Sequence, residues 1–328
     1  MLFAPRASTL TLTLATTLSF GLGACGGGDS AAERAARDSA LADSAALYEQ
    51  EASMFRKVGE TRNLQGPESA RYDADLDVWF VSNVNGTPLG KDNNGYISRL
   101  RPDGAPYTLK FIEGGKRGVT LHAPKGLAIS GDTLWVADID VARAFNKRTG
   151  ALIANIVTQG RARFLNGAAL GPDGAVYMTD TGILFGSKGE VSHPGPDQVF
   201  RVTRAGAKAA LTSPKLEGPN GITWDSQRRR FVIVSFLGKG IYGWTPGGQE
   251  VEAIGSGPGQ HDGAVFLPDG RLLVTSWTDS SLFVLENGQT RRVTSKVPSP
   301  ADIGVHPRDS RVAIPLLMEN RVEFWEVP

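Results

Sequence analysis

Pro219-Asn220-Gly221-Ile222, followed by the run Phe231-Val232-Ile233-Val234-Ser235, is the stretch on which the fold turns. A short polar turn opens into an apolar strand, and a charged turn separates that strand from a second, more apolar one. Such short apolar runs bounded by turn signals read as buried strands rather than helices. The same pattern recurs along the chain. Upstream it is Pro67-Glu68-Ser69 with Asp77-Val78-Trp79-Phe80-Val81-Ser82-Asn83, then Pro124-Lys125-Gly126-Leu127 with Thr133-Leu134-Trp135-Val136-Ala137-Asp138, then Leu165-Asn166-Gly167 with Val176-Tyr177-Met178-Thr179-Asp180. Downstream it is His261-Asp262-Gly263 with Leu272-Leu273-Val274-Thr275-Ser276, and Ala301-Asp302-Ile303-Gly304 with Val312-Ala313-Ile314-Pro315.

The opening positions 68, 125, 166, 220, 262 and 302 are separated by 57, 41, 54, 42 and 40 residues. The short spacings match one four-stranded propeller blade of about 40–45 residues. Inserted loops at Asn85–Asn94 and Gly182–Asp197 account for the two long ones. One four-stranded sheet cannot bury both faces, whereas six packed radially can, leaving only short edges. An α/β fold is excluded because no long amphipathic helix separates the strands. The expectation is an all-β, six-bladed β-propeller over residues 52–328, with Met54–Val58 completing the last blade.

Composition agrees with a turn-rich globular domain: 328 residues, 41% hydrophobic, 40 Gly and 19 Pro. A net charge of +1 gives no pull toward nucleic acid, and no nucleic-acid partner is expected. Residues 1–24 have the layout of a secretory signal, with Arg6 ahead of an apolar, Thr-rich stretch. Leu22-Gly23-Ala24-Cys25 resembles the bacterial lipobox, and Cys25 is the chain's only cysteine. Export and lipidation at Cys25 follow, with residues 25–51 as a tether and Gly26 pointing to the outer membrane, facing the periplasm. The domain is expected to be a monomer whose membrane contact is the lipid.

In a propeller the turns that open each repeat converge around one mouth of the central channel. That ring is Glu68, Lys125, Asn166, Asn220, Asp262 and Asp302, with Asn83, Asp138 and Asp180 from the second-strand ends. Asn-Gly and Asp-Gly are also ordinary turn formers. Mixed carboxylate and amide oxygens, however, suit a divalent cation such as Ca²⁺, with Zn²⁺ or Mn²⁺ as alternatives. Lys125 either binds an anionic substrate or pairs with Glu68 or Asp138. The register of Asp302 has two readings, one residue apart.

Taken in order, Glu68-Ser69-Ala70, Asn166-Gly167, Asn220-Gly221-Ile222 and Asp262-Gly263 resemble the senescence-marker-protein/gluconolactonase family of regucalcin-like lactonases. The resemblance implies that Glu68, Asn220 and Asp262 hold a metal, that Asn166 contacts substrate or water, and that Asp262 doubles as general base. Asn83, Asp138 and Asp180 would orient these groups from behind. The implied activity is metal-dependent hydrolysis of a lactone or small ester. A non-catalytic surface propeller that binds a ligand or protein, and a lyase on the same scaffold, stay open. Gly238-Lys239-Gly240-Ile241-Tyr242-Gly243 lies between strands with no following helix, so it is not a phosphate cradle. His122, His193, His261 and His306 lack zinc-site spacing.

Overall fold

The computed structural model describes residues 30–40, 42, 55–158, 161–186, 190–286 and 288–327. The expected signal segment and Cys25 lie outside the described residues. The chain divides into two units between Leu47 and Tyr48. In the first unit, residues 31–40 are helical and exposed. The helix starts with a reciprocal cap: the Glu33 amide donates to Ser30 Oγ, and the Ser30 amide donates to Glu33 Oε2.

The second unit is all-β. Strand β1 (Arg56–Thr61) precedes a first antiparallel meander of β2 (Pro67–Asp73), β3 (Val78–Asn83), β4 (Tyr96–Leu100) and β5 (Pro106–Glu113). The second is β6 (Pro124–Ser130), β7 (Thr133–Asp138), β8 (Val141–Asn146) and β9 (Leu152–Val157). The third joins β10 (Leu165–Leu170), β11 (Val176–Asp180), β14 (Gln198–Thr203) and β15 (Gly206–Thr212); the small hairpin β12 (Leu184–Phe185) and β13 (Val191–Ser192) fills its inserted loop. An eight-stranded sheet follows. It combines β16 (Pro219–Asp225), β17 (Arg230–Ser235), β18 (Gly240–Trp244) and β19 (Glu252–Ser256) with β20 (His261–Phe266), β21 (Leu272–Ser276), β22 (Ser281–Glu286) and β23 (Gln289–Thr294). Strand pairing joins the two halves at one parallel bridge, Ser256 with Gln289, while β16 packs against β20. The last sheet has β24 (Gly304–Val305), β25 (Arg311–Leu316) and β26 (Arg321–Glu326), with β1 outside β26.

β1 therefore closes the sheet made by the chain's other end, pairing Arg56 with Glu326 and Thr61 with Val322. The inner strands pack in succession, β2 on β6, β6 on β10, β10 on β16, β16 on β20, β20 on β24 and β24 back on β2. Apolar clusters fill the seams between neighbouring sheets. Phe80, Leu127 and Val136 pack at the first seam, and Trp79, Val322 and Phe324 pack at the closing one. The inner strands approach so closely that side chains are excluded between them. A Cβ on Gly126 would stand 2.2 Å from the Asn166 carbonyl, and one on Gly221 would stand 2.4 Å from that of Asp262. Glycine is present at these positions because backbone occupies the space, independently of any turn.

Candidate functional site at the inner-strand openings

Five inner strands begin with a residue paired to the end of the next strand, Pro67 with Asn83, Pro124 with Asp138, Leu165 with Asp180, Pro219 with Ser235 and His261 with Ser276; in the last repeat the isolated bridge of Pro300 with Leu316, ahead of β24, takes the same place. One residue further in stand Glu68, Lys125, Asn166, Asn220, Asp262 and Ala301. This register decides the last repeat. Asp302 is not the counterpart of Asp262; Ala301 is, and Asp302 occupies the position held by Gly126, Gly167, Gly221 and Gly263. The expected sixth member of the ring is corrected accordingly.

All five polar members of the ring are buried, Lys125 to 1% exposure and Asn220 to 3%. Four of them carry an oxygen that no hydrogen bond reaches: Glu68 Oε2, Asn166 Oδ1, Asn220 Oδ1 and Asp262 Oδ1. Asp302 Oδ1 is a fifth. Buried polar atoms are nearly always paired, so unpaired oxygens grouped in one region make it a candidate ligand site. Burial pushes Glu68 well above the ordinary carboxylate range, and repulsion from Asp262 and Asp302 adds to it; Lys125 and Arg71 oppose the shift. Burial and the Asp302 charge likewise raise Asp262, while the Trp277 indole and the Asn220 amide beside it favour its charged form.

Lys125 is not paired with Glu68 or Asp138 in a salt bridge. Its ammonium donates to the main-chain carbonyls of Pro88 and Ala123, each at 3.0 Å, and lies 4.3 Å from the centre of the Phe164 ring. Burial brings it down to about 8, against the opposing pull of Glu68 and Asp138. Pro88 belongs to the loop inserted after β3, so Lys125 ties that loop to the ring. Asp138 is already engaged with Arg143 and with the amides of His122 and Ala123. Asp180 accepts the amides of Arg163, Phe164 and Gly182. Asn83 donates to Val81 and Ser98 and accepts from Gln65. Asp138 and Asp180 thus fix the backbone two residues ahead of Lys125 and Asn166, and act on the ring through main chain rather than through side-chain contact.

Sequence reasoning missed Arg71. Its guanidinium donates to the carbonyls of Leu127 (2.9 Å), Ile303 (2.6 Å) and Ala168 (3.4 Å), and to Asp302 Oδ2 at 2.9 Å. Ser69 Oγ donates to the same carboxylate oxygen at 2.7 Å. One side chain thereby gathers three neighbouring inner strands and offsets part of the carboxylate charge. The available signal was the repeat itself: the positions matching Arg71 carry Ala128, Ala169, Thr223, Val265 and Gly304. His261 points elsewhere. It is fully buried, and desolvation lowers its pKa to about 4, so it is a neutral packing residue at neutral pH.

Whether these side chains suit a divalent metal is a question of donor chemistry. The unpaired set is all oxygen, mixing carboxylates with amide carbonyls, which is what hard cations take. Among the described residues no three Asp, Glu, His or Cys side chains form a ready metal cluster. A shared ion would accordingly take two carboxylates, Glu68 and Asp262, with amide oxygen from Asn220. The residues fit such an ion.

No protein-family model and no curated protein matches this chain. Solved structures do. A luciferin-regenerating enzyme superposes with a TM-score of 0.62 at 12% identity, covering 83% of this chain and 94% of its own. A candidate gluconolactonase gives 0.60 at 16%, covering 83% and 91%. Virginiamycin B lyase from Staphylococcus aureus gives 0.56 at 14%, covering 84% and 100%. At these identities the likeness is one of fold. The second unit has the β-propeller fold of these structures.

Proposed function

We propose that the chain is a six-bladed propeller hydrolase that opens a lactone or related small ester at the ring of Glu68, Asn166, Asn220 and Asp262. The eight-stranded sheet is read as two blades, because strand pairing joins its halves only at Ser256 and Gln289. The observation that carries the function is the group of buried, unpartnered oxygens at the openings of the inner strands. Glu68, Asn220 and Asp262 would hold a divalent cation, Ca²⁺ before Zn²⁺ or Mn²⁺. When bound, such an ion supplies a Lewis acid for a substrate carbonyl and for water.

The protein's own groups do the rest. Asn166 is held by the bond from its amide nitrogen to Thr181 Oγ1, at 3.1 Å, which leaves its carbonyl oxygen for substrate or water. Asp262 accepts the proton of the attacking water. Lys125 provides positive charge near Glu68 and suits a product carboxylate. The substrate is a small molecule, and the domain works as a monomer exported and held to the outer membrane through Cys25. Labelling with a radioactive fatty acid checks that anchor, which Cys25→Ser must abolish.

The experiment for the reaction pairs calorimetric titration of chelator-treated protein with Ca²⁺, Mn²⁺ and Zn²⁺ against a panel of lactones and esters. Asp262→Ala is expected to abolish saturable metal binding and to lower kcat/KM by at least about 100-fold with folding intact. Hydrolysis unchanged by Asp262→Ala removes the proposal. Absence of both metal binding and hydrolysis would turn the reading toward a binding propeller.

A further inference from the structure

A cavity of about 950 Å³ lies away from the ring, between the outer strands β4 and β5 and the turn that leads into β9. Arg99, Lys110, Lys116, Arg117 and Arg148 line it, with Glu113 as the single acidic residue. In a chain of net charge +1, this is a local concentration of cations. Two of them are already matched: Lys110 pairs with Glu113 at 2.8 Å, and Arg148 pairs with Asp75 and Asp132. Arg99, Lys116 and Arg117 meet no carboxylate among the described residues.

Arg99 is the built part of the groove. Its guanidinium carbon lies 3.8 Å from the centre of the Phe111 ring and 5.0 Å from that of Tyr107. Its Nε is shut off from solvent and has no hydrogen-bond partner. Desolvation disfavours its charge, opposed by the Tyr107 hydroxyl and by no carboxylate. A planar guanidinium held against an aromatic face and paired with no carboxylate is suited to a two-bond grip on an oxyanion through its two terminal nitrogens. Lys116 and Arg117 stand exposed on the wall and add charge for a second group.

We propose that this groove binds a ligand carrying two or more oxyanion groups, phosphate or sulfate esters, with Arg99 as the fixed fork and Lys116 and Arg117 as the outer contacts. The proposal is independent of the hydrolytic reading. The ligand is either a soluble polyanion or an anionic headgroup in a bilayer, and two probes separate them.

Calorimetry with inorganic pyrophosphate tests the soluble source, and flotation with phosphatidylglycerol vesicles, against phosphatidylcholine vesicles, tests the headgroup. Saturable pyrophosphate binding is expected, weakened about tenfold by Arg99→Gln and by the Lys116→Glu/Arg117→Glu pair. Raising salt should weaken it further. Flotation with phosphatidylglycerol alone, lost in the same variants, supports the site and assigns it to a membrane surface. The exposed pair leaves the core untouched, so its thermal midpoint separates a lost site from a lost fold. Binding of neither probe, or binding that both variants leave unchanged, overturns the proposal.

Discussion

Glu68, Asp262 and Asp302 are buried away from bulk water, which hinders ionisation of all three; Asp262 and Asp302 make Glu68 harder still to ionise, and Asp302 does the same to Asp262. Arg71 and Lys125 offset part of that charge but leave Glu68 Oε2 and Asp262 Oδ1 unpaired. The cluster therefore takes up protons unless a cation replaces them. The sign of the resulting pH dependence follows directly. Both carboxyls titrate higher in the folded than in the unfolded chain, so the folded state holds more protons between those values. Their contribution is fully present below the unfolded carboxylate range and is lost as pH rises through the folded values. Two groups act oppositely in neighbouring windows, because there the unfolded chain binds the extra proton: stability rises with pH between about 4 and 6.5 through His261, and between about 8 and 10.5 through Lys125, whose cost is full below 8 and relieved above it. Between pH 6.5 and 8 the carboxyls dominate. With metal chelated, the urea midpoint is expected to fall across that window, and Glu68→Gln is expected to flatten the fall. Saturating Ca²⁺ should raise the midpoint most at the alkaline end. A wild-type midpoint flat from pH 6.5 to 8 contradicts this electrostatic account.

The strands were legible in the sequence because burial on both faces leaves a simple mark, short apolar runs such as Phe231–Val234 between polar turns. Positions of the inserted loops were legible too, as excess length between repeats. The register of the last inner strand was not. Ala301-Asp302-Ile303-Gly304 offers two alignments, and only the pairing of Pro300 with Leu316 chooses between them. Arg71 was hidden for a related reason. In sequence it is one arginine in an alternating strand, and its partners Leu127, Ala168 and Ile303 are main-chain carbonyls, which no residue type announces. The inner-strand glycines show how far turn chemistry misleads at this scale. Gly126 follows Lys125 at the start of β6, yet what it avoids is the Asn166 carbonyl of the adjacent inner strand. Gly126→Ala must push two inner strands apart and is expected to cost about 2–4 kcal/mol. Gly131→Ala is the control: its φ of +56° is strained for alanine, but nothing lies within 4 Å of the new Cβ, so about 1–2 kcal/mol is expected. Denaturant unfolding of the two variants checks the order. Equal losses would show that backbone conformation, not close approach, sets the glycine requirement.

Closure of the ring rests on contacts between the two ends of the second unit. β1 pairs with β26 across more than two hundred residues of chain, with Lys57 bonded to Glu323 at 2.7 Å and Arg56 bonded to Glu326 at 2.6 Å. On the inner side, the Ala70 amide donates to the Asp302 carbonyl and the Asp302 amide donates to the Glu68 carbonyl. The last inner strand is thus bonded to the backbone of the residue whose side chain leads the proposed site, so closure and site geometry are one problem. Without β1, β26 becomes an open edge with unpaired main-chain groups, a template for aggregation. A chain beginning at Phe55 is the reference, and one beginning at Arg62 lacks β1. The shorter chain is expected to melt lower, by an amount corresponding to several hydrogen-bonded pairs and the packing of Val58 against the Trp79–Phe324 cluster. Because the missing piece is one strand, a synthetic peptide spanning Phe55–Arg62 should bind the open edge by strand addition and restore the midpoint in proportion to the logarithm of its concentration. A scrambled peptide should not. If the shorter chain melts with the reference and ignores the peptide, the ring is held by its inner strands alone, and β1 is a passive cover on β26.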